Sequence, residues 1–176
     1  MIAYTTLDSP LGIMRAGATD NGICLFDFDN RKNIDGIMRR ISQNLQEDFE
    51  AAPHALLSSL QIQAEEYFAG MRMTFDLPLL LVGTDFQCRV WQALQQIPYG
   101  ITRSYLQQSR LLGNEKAIRA VASANGENGI AIVVPCHRVI GSGGSLTGYG
   151  GGLHRKQWLL AHERQFSGAV QQGQLF

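Results

Sequence analysis

The chain has 176 residues, of which 45% are hydrophobic and 17% charged, and its 15 basic and 15 acidic side chains cancel. This suits one globular domain or two small ones, and no apolar run is long enough to span a bilayer. Cys24, Cys88 and Cys136 are scattered and form neither a CxxC pair nor a disulfide framework, and Met1–Ser9 has no signal-peptide pattern, so a reducing, cytoplasmic setting is expected.

The zero net charge hides two halves. Residues 1–84 hold 6 Lys/Arg against 11 Asp/Glu, and residues 85–176 hold 9 against 4, giving −5 and +5. The split has two readings, that only the second half meets a polyanion or that it arises by chance, and charge alone leaves both open. The first half opens with three short β segments, IAYTTL, IMRAGAT and ICLFDF, separated by the turn signals DSPLG and DNG. They predict a small antiparallel sheet. Two helices follow. DGIMRRISQNL sets Ile37, Ile41 and Leu45 four apart, and HALLSSLQIQAEEYFAG sets Leu56, Leu57, Leu60, Ala64 and Phe68 along a face that stops at Gly70. A short strand is expected at 74–77, ended by Pro78. The domain boundary is expected within 81–85, giving an α/β domain over 1–80 and a mostly α domain over 85–164.

In the second half, Thr84 or Asp85 caps a helix whose face carries Phe86, Val90, Leu94 and Ile97. SYLQQSRLL and EKAIRAVASANG, joined through Gly113 and Asn114, read as a helix-turn-helix. Its second helix is expected to bury Ile118, Val121 and Ala122 and to leave Ala120, Ser123 and Ala124 as a face of small residues. Arg119 projects from that helix, either toward a ligand surface or as a solvated charge. A strand over 130–134 should run into Pro135, followed by a glycine-rich loop and a last helix from His154 to Glu163. Residues 165–176 are expected to form a polar, flexible tail.

Cys136 and His137 follow Pro135, which ends sheet pairing. In extended chain successive side chains point to opposite faces, so His137 reaches Cys136 only through a bent backbone or a bridging water. The thiolate is the reactive form and needs a base or positive charge nearby; Arg138 adds charge, and Glu163 is a candidate to orient His137. There is no second Cys/His pair at zinc spacing. Residue chemistry alone leaves nucleophile and core packing both open.

PCHRVIG at 135–141 resembles the active-site signature of the O6-alkylguanine-DNA alkyltransferases, also called methylated-DNA–protein-cysteine methyltransferases. The blocks FQCRVWQALQQIPYG, SY, GNEKAIRAVASANGEN, GYGGG and RKQWLLAHE fall in the family's order and spacing across 84–164, while SPLG and YFAG carry a looser likeness in the first half. The resemblance implies a ribonuclease H-like N-terminal sheet and a winged-helix-like C-terminal domain. It implies irreversible transfer of an alkyl group from O6-alkylguanine in double-stranded DNA, with O4-alkylthymine as an open second substrate, after base flipping from the minor groove. No cofactor or metal is implied.

By the same resemblance Cys136 is the acceptor, His137 its base through water, Glu163 the end of the relay, and Asn128 the tie to the active-site turn. Tyr105 faces the guanine and eases its departure. Arg119 fills the place of the flipped base, with Ala120, Ser123 and Tyr105 also against DNA. Val139, Tyr149 and Gly150 form the base pocket. Departures from the family pattern are Gly129, expected to loosen its turn, Glu115, Arg103 and the extra thiol Cys88. Two other readings are a cysteine hydrolase and a damage-sensing DNA-binding module. A monomer is expected. The end of the chain, Gln172–Phe176 (QGQLF), resembles a sliding-clamp binding peptide and is expected to dock weakly there or to fold back on the protein's own surface.

Overall fold

The structure is a computed structural model that describes residues 1–175, with side chains to Ser167. Its first half is a four-stranded sheet in the order β3-β2-β1-β4, formed by β1 (Ile2–Leu7), β2 (Met14–Thr19), β3 (Gly22–Phe28) and β4 (Phe49–Ala51). β1–β2 and β2–β3 are antiparallel, as the two tight turns require, but β4 pairs with β1 in parallel, so the sheet is mixed rather than antiparallel. The helix α1 (Ile34–Leu45) forms the crossover that makes this parallel pairing possible.

Each face of the sheet buries against helices. Ile2, Cys24 and Leu25 pack on Ile34, Ile37 and Ile41 of α1, the four-residue spacing seen in the sequence. The other face carries Phe26 and Phe28 onto α2 (Ala55–Phe68), through Leu57, Leu60 and Tyr67. That same core continues without a break into α3 (Asp85–Leu94) through Val90, Trp91 and Leu94. Residues 74–77 are not a strand. Pairing comes just after Pro78, where Leu79 bridges Ile23.

The second half holds α3, α4 (Tyr105–Leu111), α5 (Ile118–Gly126) and α6 (Leu153–Leu175), with the two-residue strands β5 (Arg103–Ser104) and β6 (Val139–Ile140) paired in parallel. Thr84 and Gln87 close a capping box on α3, and Ser104 and Gln107 close one on α4. α4 and α5 are joined by a turn with Gly113 at φ 82° and a single 3₁₀ turn at Glu115–Ala117. Helix α6 does not end at Glu163: Phe166, four residues after His162, packs on that ring at 4.8 Å and carries the helix on. The clamp-like peptide Gln172–Phe176 lies outside the residues whose side chains are described. Among the described residues no helix is long and apolar enough to cross a membrane.

Residues 130–134 are not a strand either. Ile130 makes one bridge to Phe26, and the chain then turns. Phe26 N–H donates to Gly129 O at 2.8 Å and Phe26 O accepts from Ala131 N at 2.6 Å. Ile132 has φ 71°, and Val133 N donates back across it to Ala131 O at 2.8 Å. A β-branched residue there is strained by about 1–3 kcal/mol. Gly129 does not loosen this turn. A Cβ on it would lie 2.9 Å from Ile37, so the glycine lets α1 press against the turn and pin it.

Candidate active site

The strained turn delivers Pro135 at φ −83°, ψ 63°, where Cys136 N donates to Val134 O at 2.8 Å across it. This is an inverse γ-turn, which suits the fixed φ of proline. Cys136, His137 and Arg138 then form one 3₁₀ turn. The backbone bend required to bring Cys136 and His137 to one locality is therefore present. The thiol opens partly into a cleft of about 890 Å³, while His137 is buried behind it.

His137 Nε2 lies 2.7 Å from Glu163 Oε2. Glu163 also accepts from Arg138 Nε at 2.8 Å and Nη2 at 3.0 Å, and from the Tyr67 hydroxyl at 2.6 Å. Burial alone would raise the Glu163 carboxyl, but His137 and Arg138 outweigh it and hold it well below the carboxylate range. An ionised carboxylate only accepts, so Nε2 of His137 carries the proton and Nδ1 keeps the lone pair. That Nδ1 is buried and has no hydrogen-bond partner among the described residues. Burial lowers the imidazole pKa, which Glu163 only partly offsets, so the resting ring is neutral and able to accept a proton.

Asn128 holds the thiol from the other side. Its Nδ2 donates to Val134 O at 2.9 Å and to Cys136 Sγ at 3.3 Å, and its Oδ1 accepts from Ile130 N at 3.0 Å. Burial raises the Cys136 pKa, and the Asn128 bond offsets part of that. The resting group is a thiol that ionises when its proton is taken.

The cleft wall is formed by Tyr105, Arg119, Ser123, Tyr149 and Gly150, all expected from the sequence. Tyr105 donates its hydroxyl to Thr147 O at 3.2 Å. The Tyr149 hydroxyl is buried and unpartnered among the described residues. Ala120 is exposed on α5 but outside the cleft lining. Val139 lies behind the wall: its side chain is buried and its carbonyl accepts from Lys156 Nζ at 2.6 Å. The faces of α5 differ from expectation. Val121, Ala124 and Asn125 are buried, whereas Ile118 is 38% exposed and faces the cleft with Ala122. Alanine and serine are tolerated equally well against protein or solvent, so the run Ala120, Ala122, Ser123 and Ala124 does not announce which side packs.

Three groups escaped the sequence reading. Lys156, fully buried, stitches Val139 O to Thr147 O at 2.9 Å, and burial brings its pKa down to about 8. Arg31, from the first half, donates to Asp27 at 3.1 Å, Asn128 O at 3.3 Å and Gly126 O at 2.9 Å. A Cβ on Gly150 would strike its guanidinium at 2.3 Å, so glycine there admits the arginine to the cleft wall. Tyr67 reaches Glu163 from α2. Tyr67 and Arg31 are not marked locally as site residues, because the site partners they reach lie 95 to 97 positions away, and the acceptors of Lys156 are backbone carbonyls, which no residue type announces.

Fold and site together define a thiol protein whose candidate nucleophile, backed by a histidine–carboxylate relay, opens into a cleft beside a pair of helices joined by a tight turn. Residues 85–165 match the family model described as 6-O-methylguanine DNA methyltransferase, DNA binding domain. The chain is 47% identical over 169 residues to a methylated-DNA–protein-cysteine methyltransferase of Mycolicibacterium paratuberculosis, covering 96% of both chains. It is 42% identical over 162 residues to the constitutive enzyme of that name from Bacillus subtilis, covering 92% of this chain and 94% of the relative. The crystal structure of Mycobacterium tuberculosis OGT in complex with DNA superposes with TM-score 0.80 at 41% identity, over 93% of this chain and 94% of that one. The chain belongs to the methylated-DNA–protein-cysteine methyltransferase family.

Proposed function

We propose that this chain repairs DNA by moving the alkyl group of O6-alkylguanine onto Cys136, once per molecule. The observation that carries this reading is the thiol at the cleft floor, with the lone pair of His137 Nδ1 unclaimed in the same turn and Glu163 fixing the ring from behind. The modified base must leave the stack to reach such a cleft, which costs on the order of a few kcal/mol, and on this reading Arg119, which lines the cleft, fills the gap. The exposed face of α5, lined by Ala122 and Ser123, is slim enough to approach the duplex closely. We read the sheet as ribonuclease H-like and α4–α5 as part of a winged helix. The three unpaired cysteines fit a reducing cytoplasm.

The Cys136 proton passes to His137 Nδ1, directly or through solvent, and the imidazolium is stabilised by Glu163. The thiolate attacks the alkyl carbon in line; the S–C bond forms as the C–O6 bond breaks. The electron pair stays on guanine, which takes a proton from the Tyr105 hydroxyl, and solvent restores it. The product is a thioether. It has no carbonyl for water to attack, so the protein does not turn over.

The test is to incubate full-length protein with duplex carrying O6-methylguanine and to weigh it intact. A single methyl-sized gain, saturating at one per chain and absent in Cys136→Ala, is expected. Catalytic turnover selects a hydrolase, and binding without mass gain selects a damage sensor; either result rejects the proposal.

A further inference from the structure

The geometry points to Tyr67, on a helix of the N-terminal half, as a positioning residue for alkyl transfer: its hydroxyl grips the Glu163 oxygen that orients His137. This rests on the Cys136–His137–Glu163 relay proposed above.

Tyr67 sits at the end of α2 and is 0% exposed. Its hydroxyl donates to Glu163 Oε2 at 2.6 Å, the oxygen that also takes His137 Nε2 at 2.7 Å and Arg138 Nη2 at 3.0 Å. The phenol is locked. Its ring packs on Phe68 at 5.4 Å, Phe75 at 5.6 Å and His162 at 5.3 Å, and its carbonyl accepts from His162 Nε2 at 2.8 Å. Phenylalanine would fill the same space. The hydroxyl adds nothing to that packing and would be costly to bury unpaired. What it adds is a third donor on one carboxylate oxygen.

That donor tunes His137. A carboxylate whose charge is shared among more donors pulls less on the imidazole proton, so Tyr67 keeps His137 less basic than Glu163 and Arg138 would leave it. The other groups that face the pair are Arg138 in the 3₁₀ turn, Lys156 on α6 and Tyr99 after α3. Of these only Arg138 also donates a side-chain bond to Glu163; Gly100 N adds a long backbone contact at 3.4 Å. The acidic half of the chain thus completes the relay without facing DNA.

The experiment measures the single-turnover rate of transfer from methylated duplex against pH, for the parent, Tyr67→Phe and Phe68→Leu, with thermal unfolding of each. The rate falls as pH drops through the His137 pKa, because only the neutral ring accepts the thiol proton. Tyr67→Phe should move that acid limb to higher pH by about half a unit or more. Phe68→Leu, which trims the same cluster but not the bond, should lower the Tm and leave the limb in place. An unmoved limb in Tyr67→Phe makes Tyr67 a packing residue and overturns the proposal. Should Tyr67→Phe fail to fold, a fluorotyrosine at position 67 alone keeps the shape and strengthens the donor. The limb must then move to lower pH, and any other result refutes the role. If the parent shows no methyl gain, the relay reading fails by itself. NMR titration of His137 still tests Tyr67 in that case, with an unchanged imidazole pKa in Tyr67→Phe as the refuting result.

Discussion

Replacing Asn128 by alanine separates the stability of the active-site turn from its chemistry. The side chain is 2% exposed and contacts Val134 O, Ile130 O, Ile130 N and Cys136 Sγ. Both carbonyls keep another donor in the variant, since Val134 O also accepts from Cys136 N and Ile130 O from Val134 N. Only the Ile130 N–H is orphaned. A buried unsatisfied donor costs about 1–3 kcal/mol, which in a chain of this size lowers Tm by about 2–12 °C. The thiol loses its side-chain donor as well. A hydrogen bond to a charged group contributes about 1.5–3 kcal/mol, so thiolate at a given pH should fall about ten- to a hundred-fold, and transfer with it. The assays are thermal unfolding and single-turnover methyl transfer, both on Asn128→Ala. A lower Tm with an unchanged transfer rate would refute the argument that Asn128 acts on the sulfur.

Arg119→Ala should slow repair of duplex far more than reaction with free O6-benzylguanine, since only the duplex must release a stacked base; equal losses in the two rates would assign Arg119 to the pocket or the fold. Tyr105→Phe should slow single-turnover transfer by about 10²–10⁴-fold with little change in Tm, and an unchanged rate would end its role as proton donor. Glu163 titrates in the folded state below its unfolded value, so its contribution to stability is complete above about pH 5 and is lost as pH falls toward the folded pKa. Glu163→Gln, which leaves buried Arg138 without its counter-charge, should cost about 3–5 kcal/mol in urea unfolding near neutral pH and flatten the acid loss.

What could be read in advance was whatever is local. Ile37 and Ile41 announce α1 because four-residue spacing is the helix's own period, and Thr84 announces the start of α3 because its hydroxyl can accept from the helix's first turn. The signature around Cys136 is contiguous, so the candidate acceptor and its histidine were legible together, while Asn128 was legible from a separate block that ends seven residues before Pro135. The strand at 49–51 was not: three residues with two exposed side chains have no period, and its partner β1 lies in the first seven residues. Residues 130–134 misled because an apolar run reports burial, not extension, and Ile132 is buried in a turn at φ 71°. Tyr67 and Arg31 were invisible as site residues because their partners lie 96 and 97 positions away.

The resting thiol of Cys136 is held protonated by burial, a state that fits a protein used once. A thiol with a depressed pKa reacts more readily with soluble electrophiles, and for an acceptor that does not turn over each stray alkylation is permanent loss. The site stores its activation elsewhere: in a neutral His137 whose Nδ1 has no partner among the described residues, a Glu163 already ionised, and an Asn128 donor aimed at the sulfur. On the proposed function, charge separation is then favourable only when an alkyl carbon stands in line with Sγ and the leaving guanine can take up its own proton. On the same reading, selectivity comes from the geometry of the flipped base rather than from the intrinsic nucleophilicity of the thiol. The two halves of the chain share that arrangement, with Arg31 gripping the end of α5 and Tyr67 gripping the relay. Loosening either contact should therefore impair transfer even where the surface placed to meet DNA is intact.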